Sequence, residues 1–375
     1  MPHNFYMNKK ILLPLIALVC TSCSQVVDYG VEQYRTTMEF HDDFKVMQLT
    51  DLHLGIESDL TKQLNFVCES IDQADPDLII LTGDNFMYAS KGIVKVLFKT
   101  LNDKCKQLST PQRIRKFAVT FGNHDNQGDY PRYYINNVIK SYVTIDGNEL
   151  KDGRFAAFLD YQNDNLHGFA NYYIDLVDDI SKTKEEVDVK YRLHILDSNT
   201  YHFTGIVYKY EVIFEDQLEH IKDIYNNATV DKDYIGMCFF HIPVAEYADM
   251  KEQYVNSPNP ELIGQGKLED TKVRTPYYDN GAYQKMKEAN IISFVTGHDH
   301  QNYGDYIFNA DSSDINDKAI FSYGVKSTNQ LYHFDYMIGY KVINLKDNMT
   351  KETFITIENI NENFKNVTDR GDDYE

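Results

Sequence analysis

Five short polar motifs follow one another down this chain of 375 residues, each just after an apolar run. They are Asp51-Leu52-His53, Gly83-Asp84-Asn85, Gly122-Asn123-His124-Asp125, the lone His241 in Phe-Phe-His-Ile-Pro, and Gly297-His298-Asp299-His300. Taken singly, each has a plainer reading. Asp-x-His at a strand end is usually a turn, Gly-Asp-Asn is a common turn with Gly and Asp there for backbone reasons, and a lone His is usually a satisfied core residue. Joint occurrence in order, each motif after a strand, reverses that weighing. Carboxylates, an amide and imidazoles together are the mixed donors a dinuclear metal site needs, and they suit Zn, Mn, Fe or Co. Two such ions about 3.5–4 Å apart can clamp both sides of an in-line displacement at phosphorus.

The elements that must position these motifs are legible in the apolar pattern. Phe44–Thr50 alternates into Asp51 as a strand does, and Asp59–Asp72 reads as a helix with Leu60, Leu64, Val67 and Ile71 on one face. Asp77–Thr82 and Phe117–Phe121 are continuous apolar runs, the pattern of strands covered on both faces, and Gly92–Leu101 looks helical. Strand–loop–helix alternation of this kind predicts an α/β fold with polar residues at the carboxyl ends of strands. Further on, Arg154–Asp160 and Gly168–Val177 suggest a hairpin, Tyr191–Leu196 and Tyr234–Phe240 strands, and Glu215–Tyr225 a helix. Ser257–Gly281 has little periodicity and reads either as a lid over the motifs or as an ordered surface loop. Ala282–Ala289 is helical in pattern, and Ile291–Thr296, Ala319–Tyr323 and Tyr340–Leu345 are strand-like. Four segments result: a signal at 1–23, a linker at 24–40, one domain at 41–350 and an acidic tail at 351–375.

A formal charge of −20, from 37 basic and 57 acidic residues, repels polyphosphate backbones and argues against a nucleic-acid-binding groove. Lys9-Lys10 before the apolar run Ile11–Val19 has the layout of a secretory signal, too short to span a bilayer. Ser22-Cys23 after Thr21 resembles a bacterial lipoprotein cleavage site that would lipidate Cys23 and attach the chain to a membrane, although Cys20 stands where Leu is usual. A plain cleaved signal and an uncleaved anchor are the alternatives, and all three place the protein outside the cytoplasm. Cys68, Cys105 and Cys238 follow without a Cys-x-x-Cys pair, so no disulfide framework or zinc ribbon is indicated. His194, His202 and His220 have no motif context and read as structural or exposed, and Tyr277-Tyr278 as pocket lining or surface packing.

The ordered motif set resembles the calcineurin-like metallophosphoesterases, in the branch similar to purple acid phosphatases, from about Phe44 to Leu345. Leu196-Asp197-Ser198, the string His241–Glu246 and Asn280-Gly281 are similar to the subgroup of Dcr2-type phosphatases. The resemblance implies a four-layer sandwich, with two mixed β-sheets flanked by helices. It implies that Asp51, His53 and His300 hold one metal, that Asn123, His241 and His298 hold the other, and that Asp84 bridges them. The ions would be two divalent or trivalent transition metals: Fe, Mn or Zn. It further implies a phosphoester substrate attacked by a metal-activated water. His124 would face the ester as a non-ligand that protonates the leaving oxygen or stabilises transition-state charge, with Asp125 orienting its imidazole. Asp299 is expected only to cap its loop. Purple acid phosphatases place a tyrosinate ligand three positions after the second-motif Asp; here that position is Met87, with Tyr88 one residue late, and His53 stands where they carry Gly. An iron–tyrosinate centre is therefore not expected. Phosphomonoester hydrolysis leads, with a phosphodiesterase acting on nucleotides or phospholipid headgroups, or a non-catalytic metal-binding lipoprotein, as alternatives.

Overall fold

The computed structural model describes residues 35–55, 59–145, 147–159, 166–183, 186–227, 232–329, 337–360 and 366–369. The signal and Cys23 lie outside them. Eight strands form one mixed sheet: β1 (Arg35–Glu39), β5 (Tyr172–Val177), β6 (Val189–Ile195), β9 (Ile235–Phe239), β10 (Gly264–Leu268), β11 (Ile291–Thr296), β12 (Asn302–Phe308) and β13 (Ala319–Tyr323). Their order across it is β1-β5-β6-β9-β11-β13-β12-β10. A second mixed sheet holds β2 (Phe44–Leu49), β3 (Leu78–Thr82), β4 (Lys116–Thr120), β14 (Gly339–Leu345) and β15 (Asn366–Asp369), in the order β15-β14-β2-β3-β4. A separate ribbon pairs β7 (Tyr201–Phe203) with β8 (Tyr208–Tyr210).

The two large sheets pack face to face. On β9, Ile235, Met237 and Phe239 point into the core shared with Val46, Ile80 and Val119 of the smaller sheet. Cys238 and Phe240, one residue out of phase, point the other way, into a cluster with Tyr247, Met250 and Met286. Those three belong to α6 (Glu246–Asn256) and α7 (Ala282–Glu288), which with α5 (Glu215–Asn227) cover the outer face of the larger sheet. The smaller sheet is covered by α1 (Leu60–Ala74) and α2 (Lys91–Leu108), α3 (Arg132–Lys140) packs beside α2, and the short α4 (Glu149–Asp152) follows. The result is helices, sheet, sheet, helices.

Local signals explain where these helices begin. Asp59 Oδ1 accepts from the backbone N–H groups of Thr61 and Lys62 at 3.1 and 3.2 Å, satisfying orphan donors at the start of α1. Val67 and Ile71 then lie fully buried against the sheet, each worth about 1.5–3 kcal/mol of transfer free energy. Ser90 caps α2 through Ile93.

Four expectations need correction. Arg154–Asp160 does not pair with β5: Phe155 and Ala157 hydrogen-bond to Phe117 along the free edge of β4, whereas β5 sits in the other sheet between β1 and β6. The segment read as a linker at 24–40 ends in β1, which pairs parallel with β5. The segment read as an acidic tail contains α8 (Lys351–Phe354), whose Phe354 is buried, and β15, which pairs with β14. Within Ser257–Gly281, β10 forms the edge of the larger sheet. No described helix is long and apolar enough to cross a membrane.

Candidate metal centre

Each motif begins where a strand of the layered core stops, and hydrogen bonds carry the pairing of β2 with β3 into the loops beyond. Asp51 N–H donates to Gly83 O at 3.1 Å, His53 N–H to Asp84 O at 2.9 Å, and Leu54 N–H to Asn85 O at 3.1 Å. To keep this register while turning side chains inward, the backbone adopts left-handed conformations. Asp51, His53, Asp84 and His298 have φ of 55°, 47°, 48° and 75°. Such conformations cost about 1–3 kcal/mol each and persist where surroundings over-determine them. Close approach explains two motif glycines: a Cβ on Gly122 would lie 2.2 Å from Asp84 Oδ1, and one on Gly83 2.7 Å from the His241 side chain.

The structure brings six of the seven expected ligands together in two buried groups. Asp51, His53 and His300 present ligand atoms within 4.8 Å of one another, and so do Asp84, His241 and His298. His53 Nε2 and His300 Nε2 are 3.1 Å apart, and His300 Nε2 is 3.2 Å from Asp51 Oδ1. In the second group His241 Nε2 is 3.1 Å from Asp84 Oδ2 and 3.2 Å from His298 Nδ1. Asp84 Oδ2 also lies 3.8 Å from His53 Nε2, which puts this carboxylate between the groups.

For three of the expected ligands, hydrogen bonds from outside leave one donor atom unclaimed. Asp51 Oδ2 accepts from the Thr50 hydroxyl and from His298 N–H, while its Oδ1 is buried without a donor. His241 Nδ1 lies 2.9 Å from the Thr82 carbonyl, an acceptor that fixes the proton there and leaves Nε2 as the lone pair. Asn123 Nδ2 donates to the Tyr201 hydroxyl at 2.6 Å, and its Oδ1 is buried without a partner. Buried acceptors left unmatched are uncommon because each costs about 1–3 kcal/mol. Cations would satisfy them.

The electrostatics point the same way. Burial opposes ionisation of Asp51, but the imidazoles of His300, His53 and His241 outweigh it and hold this carboxyl well below its usual range. Burial and then the Lys326 charge push His53 down to about 3, leaving a neutral ring. His241 moves oppositely: against burial, Asp84 and Asp51 raise it to about 9. The two carboxylates thus demand positive charge here. Donor set, orphaned oxygens and charge all fit two metal ions.

A calcineurin-like phosphoesterase family model matches residues 44–302, more than half of the chain and a span that includes all five motifs. The chain belongs to the calcineurin-like phosphoesterase family. It is 29% identical over 306 residues to Phosphatase DCR2 of Saccharomyces cerevisiae, covering 76% of this chain and 48% of that protein. An uncharacterized protein of Schizosaccharomyces pombe is 24% identical over 294 residues, covering 71% of this chain and 48% of its own length. The chain thus spans about half the length of the curated relatives it matches. A solved dimetal phosphatase from Danio rerio superposes with a TM-score of 0.48 at 10% identity, over 82% of this chain and 94% of that one.

Within this phosphoesterase, His124 is set apart from the ligands. Its side chain is 19% exposed, while those of Asp51, His53, Asp84, His241 and His300 are at 0–2%. Its backbone N–H donates to Asp84 Oδ1 at 2.7 Å and its Nε2 lies 4.0 Å from Asp84 Oδ2. Asp125 does not orient the His124 ring. Its carboxylate accepts from Gly122 N–H at 2.8 Å, Phe86 N–H at 2.9 Å and the Asn85 amide at 3.1 Å, tying the third motif to the second. Gln127 takes the expected place, with Oε1 3.0 Å from His124 Nδ1. The reason is local: Asn123–Asn126 is a 3₁₀ turn, in which positions i and i+3 share a face. The Asp299 carboxylate reaches beyond its own loop rather than capping it, accepting from Arg274 and from the Tyr323 hydroxyl. Tyr88, at 59% exposure, stands away from the buried ligands.

Several supporting residues carried no local sign in the sequence. Buried Arg132 of α3 donates to Asp197, to the Gly122 carbonyl and to the Asn199 carbonyl, fastening the third motif to the loop after β6. Ser198 Oγ accepts from His241 and Ile242 N–H, which gives the Leu-Asp-Ser match a physical role. Lys326 donates to the Asp51 carbonyl at 2.7 Å and Thr328 to the Leu52 carbonyl at 2.7 Å, clamping the first motif from the segment after β13.

Proposed function

We propose that this chain hydrolyses phosphomonoesters at a dinuclear metal centre. Asp51, His53 and His300 would hold one ion, Asn123, His241 and His298 the other, with Asp84 shared. The observation that carries the reading is the meeting of two buried ligand groups beneath one accessible histidine. When bound, two ions of Fe, Mn or Zn would supply a water nucleophile at neutral pH and neutralise charge on the phosphate oxygens. The chain's part is to hold the donors and the proton. Thr82 and Tyr201 lock His241 and Asn123 so that Nε2 and Oδ1 face inward. His124 is fixed through its own N–H on Asp84 and through Nδ1 beside Gln127. With Gln127 accepting from Nδ1–H, a protonated ring keeps Nε2–H available for the leaving oxygen at the mouth.

The preference for monoesters is supported by the name phosphatase borne by the yeast relative. Assay of the metal-loaded protein on an aryl phosphate and the matching diaryl phosphate tests it. A large rate preference for the diester reverses the choice, and two bound metals without turnover on any phosphoester leaves a binding scaffold.

Export is the reading of residues 1–23, supported by Lys9-Lys10, the run Ile11–Val19 and Cys23. Radiolabelled palmitate incorporated by the full chain and lost in Cys23→Ala is the expected result. A labelled Cys23→Ala chain, or no label at all, argues against lipidation.

A further inference from the structure

The β7–β8 ribbon carries four aromatic rings on one face, and that face runs from the metal ligands into solvent. Tyr201 pairs with Tyr210 and Phe203 with Tyr208 across the antiparallel ladder. Directly opposed residues share a face, and the ring centroids bear this out: 5.6 Å for Tyr201–Tyr210, 5.0 Å for Phe203–Tyr208 and 6.4 Å for the diagonal Tyr201–Tyr208. The inner half of the face belongs to the metal centre. The Tyr201 hydroxyl meets Asn123, its ring lies 6.3 Å from that of His124, and the Tyr210 ring meets His298 edge-on at 4.4 Å. The outer half is bare: Phe203 is 54% exposed and Tyr208 is 70% exposed.

A two-stranded ribbon is marginal alone, and this one is braced from behind. His202, on the opposite face, stacks on Tyr277 at 4.2 Å with the rings 6° from parallel, and Tyr277 N–H donates to the Tyr210 carbonyl at 3.0 Å. The ribbon that bears the exposed rings is therefore anchored beside the ligand groups, and the described fold does not bury those rings. Large apolar side chains kept together in water mark a contact surface.

We infer that the outer ribbon, through Phe203 and Tyr208, is a subsite for a flat aromatic ring on the leaving group of the phosphoester. The inference rests on the proposed phosphoesterase reading and names a substrate class for it. Continuity selects this occupant. His124 marks the leaving-oxygen side, and the ring face starts beside His124 and continues outward from it. An open ribbon of ring faces and edges matches a planar ring, which gains from stacking and edge contacts beyond its buried area. An acyl chain has no ring and would gain none of these stacking and edge contacts.

The test compares propyl phosphate, 3-phenylpropyl phosphate and 3-cyclohexylpropyl phosphate on the metal-loaded full chain, since their leaving alcohols are of similar acidity. The phenyl ester should exceed the propyl ester in kcat/KM by about tenfold, chiefly through KM, with the cyclohexyl ester well behind the phenyl. In the double variant F203A/Y208A the phenyl-to-propyl ratio should fall to about one. Both side chains are more than half exposed, so their truncation removes no core packing. Equal kcat/KM for phenyl and propyl esters in the unmodified chain overturns the inference. So does a preference that survives the double variant, or one that the cyclohexyl ester shares in full. Dependence on Phe203 and Tyr208 seen only as binding to phosphatidylcholine vesicles, or only as self-association in sedimentation, also overturns it. Calorimetric binding of 3-phenylpropylphosphonate against propylphosphonate reads the subsite without turnover. A phenyl preference there, with no hydrolysis of any ester, would sink the proposed function and leave the subsite standing.

Discussion

The side-chain amide of Asn123 donates to the hydroxyl of Tyr201 at 2.6 Å, which leaves the carbonyl oxygen of Asn123 buried without a partner. Amide orientation is what makes Asn123 an oxygen donor, and Tyr201 sets it. Tyr201→Phe keeps the ring and removes the acceptor. Zinc affinity at the second site should drop about 10–100-fold, as outer-sphere losses do, measured by competition with a chromogenic chelator. An unchanged affinity would show that Asn123 is held by other means.

Asp84 and His124 should separate metal binding from turnover. Asp84→Asn weakens the shared carboxylate between the two ligand groups, so metal content measured by emission spectrometry should fall. His124→Ala should retain its metals and lose about 10²–10⁴-fold in kcat, the range for general acid catalysis. Equal loss of metal in both variants would remove His124 from that role.

The pair Arg132–Asp197 is wholly buried, at 3% and 0% exposure. Arg132→Met leaves an uncompensated carboxylate and should cost about 3–5 kcal/mol in urea denaturation. Adding Asp197→Leu should recover only part of this. Asp197 also accepts from Phe169 and Asn199 N–H at 2.9 Å each, and those donors would then be orphaned. Full recovery would mean that the backbone finds other partners.

Glu246 supplies a pH signature away from the ligands. Burial, with Asp279 and Asp249 nearby, raises its carboxyl to about 7, and its Oε2 is buried without a donor. Between the unfolded value of about 4.3 and this folded value, the native chain binds more protons than the unfolded one, so stability declines as pH rises. Glu246→Gln should remove that slope, so its Tm relative to the parent chain grows more positive between pH 5 and pH 8. The gain should be on the order of 1 °C, because the group is partly solvated. A Tm difference that does not change with pH would refute the assignment.

What could be read from the residues depended on whether a signal was local. The strands before Asp51, Asp84 and His241 are legible because an alternating pattern or an apolar run stops abruptly near a polar residue. The supposed hairpin at Arg154–Val177 failed because Phe155 and Ala157 pair with β4 through backbone groups, and an apolar run does not name its partner. β7 and β8 were missed: three residues each, aromatic yet exposed, around a turn at Thr204–Val207 without an Asn-Gly signature. β10, Gly-Gln-Gly-Lys-Leu, has the weak composition of an edge strand. Asp125 was misassigned because the helical type of a four-residue turn decides which neighbour reaches His124. Lys326 acts on a motif distant in the chain, and Arg132 joins the third motif to a loop distant in the chain, so no spacing rule finds them.

Both ligand groups draw on both sheets. Asp51, His53, Asp84 and Asn123 follow strands of the smaller sheet, and His241, His298 and His300 follow strands of the larger. His53 and His300, which face each other at 3.1 Å, are 247 residues apart in the chain. Neither sheet alone can assemble a complete set, and a ribosome-bound chain that ends before His298 has neither. Metal capture would thus follow finished docking of the two sheets, and ions held by residues of both would link the two halves.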